Sequence, residues 1–403
     1  MPHTADDASA PAPASAGSPR TRPMLPGILA LALGGFAIGT TEFAIMGLLP
    51  QAVAELDVDL PAGGILISAY ALGVVVGAPL LAAGMARIDR RTSALWLMGL
   101  FVVGHVASLL APDFNTMLIA RFLSGLPHGA YFSAAALAAA HLAGPARRGQ
   151  AIAWVMSGLS VANLIGVPLA TWLGQSNGWR WMFILTGLFG AATLAAVALL
   201  VPSVPAPRGA SVRSELTALK SPALWGAILV GTIGFAGMFA LYTYIAPVFT
   251  DVGGMPPRLV PLLMGLYGVG MVVGTLAGGA LSDRSARRTL QWMLGIVAVS
   301  LACFSLTAQW WMVSLIPLLA AASAASALVP SLQVLLVDAA PQAPQLSGAL
   351  NHSALNLANA MGAWVGAAVI QAGFALQVPA GAGAAMAGLG LVLSLVLLRP
   401  RRP

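Results

Sequence analysis

Two stretches of this chain, YALGVVVGAPLLAAGMARIDRRT (Tyr70–Thr92) and YGVGMVVGTLAGGALSDRSARRT (Tyr267–Thr289), follow one pattern 197 residues apart. In each, an apolar run seeded with glycine ends in a cluster of arginines. The shift pairs Tyr70 with Tyr267, Gly73 with Gly270, Gly77 with Gly274, and Arg87, Arg90 and Arg91 with Arg284, Arg287 and Arg288. It also pairs Gly34 with Gly231 and Pro50 with Pro247. Apolar segments share residues by chance, but one shift that keeps tyrosine, glycine, proline and three arginines in register indicates an internal duplication.

The rest of the chain is of the same kind. Its 403 residues are 59% hydrophobic and 8% charged, with a mean hydropathy of +0.88. That composition belongs to a polytopic membrane protein, because a bilayer span needs about 20 apolar residues. Twelve spans are predicted: 25–50, 61–84, 93–111, 115–142, 150–174 and 180–201, then 222–250, 258–281, 289–307, 311–338, 345–373 and 377–398. They are numbered 1 to 12 below. The fold class is all-α: two pseudo-symmetric six-helix bundles, 25–201 and 222–398, joined by a proline-rich linker at 202–221. Residues 1–24 are rich in Ala, Pro and Ser and are expected to be a disordered cytoplasmic segment, and 399–403 a cytoplasmic tail. Arg20 and Arg22 precede a long apolar run with no small-residue cleavage site, so no signal peptide is expected.

All of the 19 basic residues except Arg121, Arg180 and Arg258 fall in alternate loops or near the ends. The opposite loops carry Glu55, Asp57, Asp59, Asp113 and Asp251. This asymmetry predicts cytoplasmic termini. It also accounts for the formal net charge of +7 without a nucleic-acid partner. The single cysteine, Cys303, sits in SLACFSL and is expected to be a packed, inert thiol. No spacing suggests a metal site, a cofactor or a catalytic constellation, so no enzyme is expected.

Charge inside the spans is rare and therefore informative. Glu42, in GGFAIGTTEFAIMGLLP (Gly34–Pro50), is the one ionisable side chain of span 1. A carboxylate at that depth costs at least ~2.5–3.5 kcal/mol and faces a bundle interior or a water-filled cavity. Arg121 is the other charge well inside a span. Counting from Pro50 and Asn115 at 1.5 Å per residue, both lie roughly 9–12 Å below the outer surface. Two readings stay open. Arg121 holds Glu42 ionised in one state and releases it in another, so that the pair couples protons, or the two form a static structural pair.

Other polar groups recur at helical spacing. His352, Asn356 and Asn359 form one stripe on span 11, at i, i+4 and i+7. With His128, Tyr131, Asn163 and Tyr242 they either line a substrate cavity or join helices by hydrogen bonds. Gly125, Gly166 and Pro168 read as packing and bending positions. The loops after spans 2 and 8 supply a candidate conformational latch: Arg87, Arg90 and Arg91 in the first half, and Gly279, Asp283, Arg284, Arg287 and Arg288 in the second. Ala86 stands where the second half has Asp283, with Asp89 displaced by three positions.

These features resemble the major facilitator superfamily over 25–398. Gly279-x-Leu281-Ser282-Asp283-Arg284-x-x-Arg287-Arg288 matches its signature loop. Arg121-x-x-x-Gly125 resembles a motif of proton-coupled members, and Gly166-x-Pro168 more loosely an antiporter motif. GTTEFAIMGLLP, ISAYALGVVVGAPL, LSGLPHGAYF, VANLIGVPLATWLG and LNLANAMGAW are similar to the bacterial 12-helix drug:proton antiporters, in their arabinose-efflux-permease-like branch. The resemblance implies proton-driven efflux of a small organic molecule (a drug, sugar or nucleoside) by a rocking monomer in the bacterial inner membrane. Uptake by symport or facilitated passage is the alternative. A membrane-embedded enzyme or receptor would need clustered acid, base or metal-binding side chains, which the spans lack.

Overall fold

A computed structural model describes residues 24–144, 147–205, 218–340 and 343–398. Residues 1–23, the linker residues 206–217 and the tail 399–403 lie outside them, together with Arg208, Arg213, Arg399, Arg401 and Arg402. Among the described residues, ten helices are long and apolar enough to cross a membrane. Two local features reconcile that number with the twelve spans expected.

Spans 8 and 9 run together as Val260–Thr307, and Ser285 divides them with an extended backbone (φ −169°, ψ 96°). Span 4 is divided into Phe114–Gly125 and Pro127–Ala143, each too short to count alone. Pro127 has no N–H to give the Leu123 carbonyl. The Leu126 N–H takes that carbonyl instead at 3.3 Å, tightening one turn. The remaining spans are Met24–Gly47, Leu60–Gly84, Arg90–Leu110, Trp181–Leu200, Pro222–Tyr242, Trp311–Ala339, Pro344–Gln371 and Val378–Leu397. Span 5 begins as Arg148–Val161 and ends as Val167–Asn177. Between them, Ala162–Gly166 is a π-helical turn in which the Val167 N–H reaches back to the Ala162 carbonyl. Pro168 follows at once, and a missing N–H is what such a wide turn absorbs.

Spans 1 and 7 are the most enclosed, and spans 6 and 12 among the least. Leu188, Leu199, Val392 and Leu395 present their side chains outward, as lipid-facing residues do. Cys303 is exposed on the same kind of surface. The expectation that it is packed is corrected: its apolar neighbours alternate between core and lipid, Phe304 being buried and Ala302 exposed.

The side bearing the acidic loops is sealed. Ser68 of span 2 donates to the Ala360 carbonyl of span 11 at 3.1 Å. Phe43 of span 1 stacks on Phe239 of span 7, with ring centroids 6.4 Å apart. On that surface Glu55 pairs with Arg180 at 2.6 Å and accepts from the Trp179 indole at 2.8 Å. The opposite, basic side retains a cavity of about 280 Å³ between the two halves.

Candidate functional site

Three spans of the first half converge on Arg121. Its side chain is 1% exposed, and the guanidinium carbon lies 4.4 Å from the centroid of the Tyr70 ring on span 2. Among the described residues, none of its three nitrogens has a hydrogen-bond partner. Gly125, one turn further along span 4, makes the approach possible: a Cβ there would overlap the Tyr70 carbonyl. A cation held over an aromatic face inside low dielectric gains about 2 kcal/mol. That is less than burying an unpaired charge costs.

Glu42 is 5% exposed and interacts electrostatically with Arg121, Tyr70 and Tyr242. It is not in contact with Arg121: among the described residues the one ion pair is Glu55–Arg180. The two charges expected at equal depth are thus neighbours without a bond. Next to Glu42, the Thr41 hydroxyl meets His105 Nε2 at 2.7 Å, while His105 Nδ1 meets the Phe101 carbonyl at 2.7 Å. Since a carbonyl only accepts, Nδ1 carries a proton towards Phe101 and Nε2 is the atom that faces the Thr41 hydroxyl.

Tyr70 links this centre to the interface between the halves. Its hydroxyl lies 3.1 Å from His128 Nδ1. The His128 ring is 5.7 Å from that of His352 on span 11, and His352 stacks on Phe132 at 5.0 Å and 7°. Asn356 donates to the His352 carbonyl at 3.1 Å, leaving its own Oδ1 unpartnered, as are both amide atoms of Asn359. Asn351 Oδ1 and Ser353 Oγ also lack a partner among the described residues. Span 11 therefore carries a run of buried polar atoms with unused hydrogen-bonding capacity, which the His352–Asn356–Asn359 spacing foreshadowed. In the second half Tyr242 stacks on Tyr267 at 4.0 Å and 19°, with Phe43 of span 1 at 5.8 Å.

Span 5 reaches the other half through its π-helical turn. The Asn163 amide donates to the Leu159 carbonyl at 3.0 Å, its Oδ1 has no partner, and its backbone carbonyl abuts Gly268 of span 8. Pro168 lies against Gly265, and Gly166 against Thr40 of span 1, where a Cβ would overlap the hydroxyl. Tyr131 does not join this face. It is buried inside the first bundle with its hydroxyl donating to the Leu31 carbonyl at 2.9 Å. The sequence placed it with His128, and the roughly 60° that separates side chains three positions apart on a helix is enough to aim it at Leu31 of span 1 instead.

The latch residues are spread out. Arg87, Asp283, Arg284 and Arg288 are exposed, Gly279, Arg91 and Arg287 are half-buried, and Arg90 is buried. Arg91 donates to the Ala198 carbonyl. Asp283 makes no ion pair among the described residues. Asp89, three positions from the place of Asp283 in the repeat, makes no ion pair among the described residues either. It caps span 3, accepting from the Thr92 N–H at 3.0 Å and the Ser203 hydroxyl at 2.7 Å. Partial burial works against its charge, but the hydrogen bonds from Thr92, Ser203 and Val204 outweigh it and hold the carboxyl below its ordinary value.

Tyr70 and His105 are the site residues that motif reasoning passed over. The signal for Tyr70 was its repeat partner: Tyr70 and Tyr267 both end up beside the central polar groups. Among the described residues, no three His, Cys, Asp or Glu side chains converge as metal ligands.

Comparison with known proteins follows the same architecture. The Major Facilitator Superfamily model matches residues 31–284 and 254–403. Inner membrane transport protein YdhP of Escherichia coli (strain K12) is 40% identical over 366 residues, covering 91% of this chain and 94% of that protein. Putative transporter AraJ of the same strain is 35% identical over 349 residues, covering 86% and 89%. Among solved structures, the D-xylose-proton symporter superposes with a TM-score of 0.74 at 18% identity, over 93% of this chain and 97% of that one. At that identity the likeness is one of fold. The chain belongs to the major facilitator superfamily, in its AraJ-like branch, and is a secondary transporter rather than an enzyme.

Proposed function

We propose that this member of the superfamily is a proton-coupled exporter of a small organic molecule in the bacterial inner membrane, with both termini cytoplasmic. Glu42 carries the proton. Arg121 sets its charge state, parked on the Tyr70 ring in one conformation and turned to the carboxylate in another. The observation that carries this reading is the separation of the two charges: a buried guanidinium with three unpartnered nitrogens stands beside a buried carboxylate it does not touch. A static structural pair would be in contact, because only contact offsets the desolvation of both ions. A pair that exchanges partners needs this spacing in one of its states.

Substrate binds between the halves, on His128, His352, Asn356, Asn359 and Asn163, with the stacked Tyr242 and Tyr267 as an apolar wall. Unused amide groups beside aromatic faces favour a neutral or weakly charged ligand with several hydroxyl, carbonyl or amine groups. The bundles 25–201 and 222–398 rock about this layer. The sealed acidic side and the cavity on the basic side describe its inward-facing half-cycle. Export in particular is supported by the likeness of GTTEFAIMGLLP and LSGLPHGAYF to drug:proton antiporters. The test is proton movement in inverted vesicles offered sugars, nucleosides and apolar antibiotics. A substrate that releases protons from the wild type supports antiport, and one that draws protons in the same direction as itself supports symport.

A further inference from the structure

The cavity on the basic side contains none of the residues assigned above to protons or substrate. It lies among the inner ends of spans 2, 3 and 4 and the starts of spans 7 and 11. Leu81, Met85, Leu97, Trp225 and Leu350 make most of its wall apolar. Two polar side chains from the first turn of span 3 also line it, Arg90 and Ser93, which are 5% and 1% exposed. Arg90 Nη1 donates to the Met85 carbonyl at 3.5 Å, whereas among the described residues its Nε and Nη2 have no partner, and neither does Ser93 Oγ. Asp89 is adjacent and its charge favours the guanidinium, but its carboxylate is engaged by Thr92 and Ser203 and forms no ion pair with Arg90. A guanidinium buried against apolar walls with half its fork unused is unfavourable unless an anion completes it.

We propose that this cavity binds an amphiphile with a single anionic head. The head sits on Arg90 Nε and Nη2 and Ser93 Oγ, and the apolar body lies against Met85, Leu97 and Trp225. The edge of a guanidinium offers two parallel N–H groups, the geometry a carboxylate or phosphate ester accepts. At about 30 Å³ per water-sized group, the cavity of about 280 Å³ holds roughly nine such groups, the size of an eight-carbon acid. A free fatty or aryl acid and the head of an anionic lipid share this chemistry. The site needs neither proton coupling nor a direction of transport, so it stands or falls apart from the exporter reading.

Because Trp225 lines the cavity, binding has an optical readout. The purified full chain in phosphatidylcholine nanodiscs is titrated with 8-bromooctanoate, whose bromine quenches nearby indoles. A saturable quench is expected that Trp225→Phe removes and that 8-bromooctan-1-ol does not produce. Arg90→Gln weakens it roughly ten- to hundred-fold, the range of a charge-assisted hydrogen bond. Arg90→Lys, which keeps the charge without the fork, falls between. The comparison of acid with alcohol uses the wild type alone and holds even where a variant fails to fold. Competition by phosphatidylglycerol in the disc assigns the site to a lipid head, and competition only by soluble octanoate assigns it to a free acid. Equal quenching by the alcohol, a quench unchanged in folded Arg90→Gln, or no saturable quench at all overturns the proposal.

Discussion

The Arg121 guanidinium rests 4.4 Å above the Tyr70 ring instead of on Glu42. Tyr70 thus does two things at once: its face holds a cation, and its hydroxyl lies 3.1 Å from His128. The two can be separated. Tyr70→Phe keeps the face and loses the hydroxyl, and should cost about 1 kcal/mol of stability. Tyr70→Leu loses both, and should cost about 2 kcal/mol more. It also frees Arg121 to settle on Glu42, which should slow coupled transport more than Tyr70→Phe does. Thermal unfolding of the purified variants and vesicle flux read these effects. Equal behaviour of Phe and Leu would show that the cation–π contact does nothing.

Gly125 sets the distance between spans 2 and 4. Gly125→Ala places a methyl against the Tyr70 carbonyl, forcing the helices apart at a cost of about 1–3 kcal/mol. Lower thermal stability together with lost coupling is expected, because Arg121 moves with the backbone. Wild-type stability would mean that the helices already have that slack.

Pro168 directly follows the π-helical turn at Ala162–Gly166 and has no N–H to offer the Leu164 carbonyl inside it. Pro168→Ala restores a donor and lets span 5 close as a regular helix, turning Asn163 away from span 8. Transport should fall several-fold while thermal stability stays level or rises. Unchanged transport would remove the turn from the mechanism.

Asp89 caps span 3, and Asp89→Ala should cost about 1 kcal/mol at neutral pH. Its carboxyl is held below the ordinary value of 3.8, so it is charged and stabilising above that value. The contribution is lost as the pH falls through the lowered one. Wild type and variant should therefore converge in stability only in strong acid. A gap that persists there would assign the effect to packing.

Much of this was legible in the chain. The repeat at Tyr70 and Tyr267, the arginine clusters and the apolar run lengths carried the architecture. Rotation about each helix axis was not legible. In a soluble helix the apolar stripe marks the inward face, but here lipid and interior are both apolar. Hence Tyr131 was placed with His128 although it packs against Leu31 inside the first bundle, and Cys303 was expected to be packed although it is exposed. Proline signalled that spans 4 and 5 are irregular, yet nothing distinguished the tightened turn at Leu126 from the widened one at Ala162–Gly166.

The central claim is that Glu42 carries the coupled proton. The most direct test is substrate-dependent proton release from inverted vesicles, comparing wild type with Glu42→Gln at matched amounts of folded protein. The account predicts release from the wild type and none from Glu42→Gln, with substrate binding retained because Glu42 is not among the substrate-binding groups. Proton release by Glu42→Gln equal to that of the wild type would contradict it and leave Glu42 a structural residue.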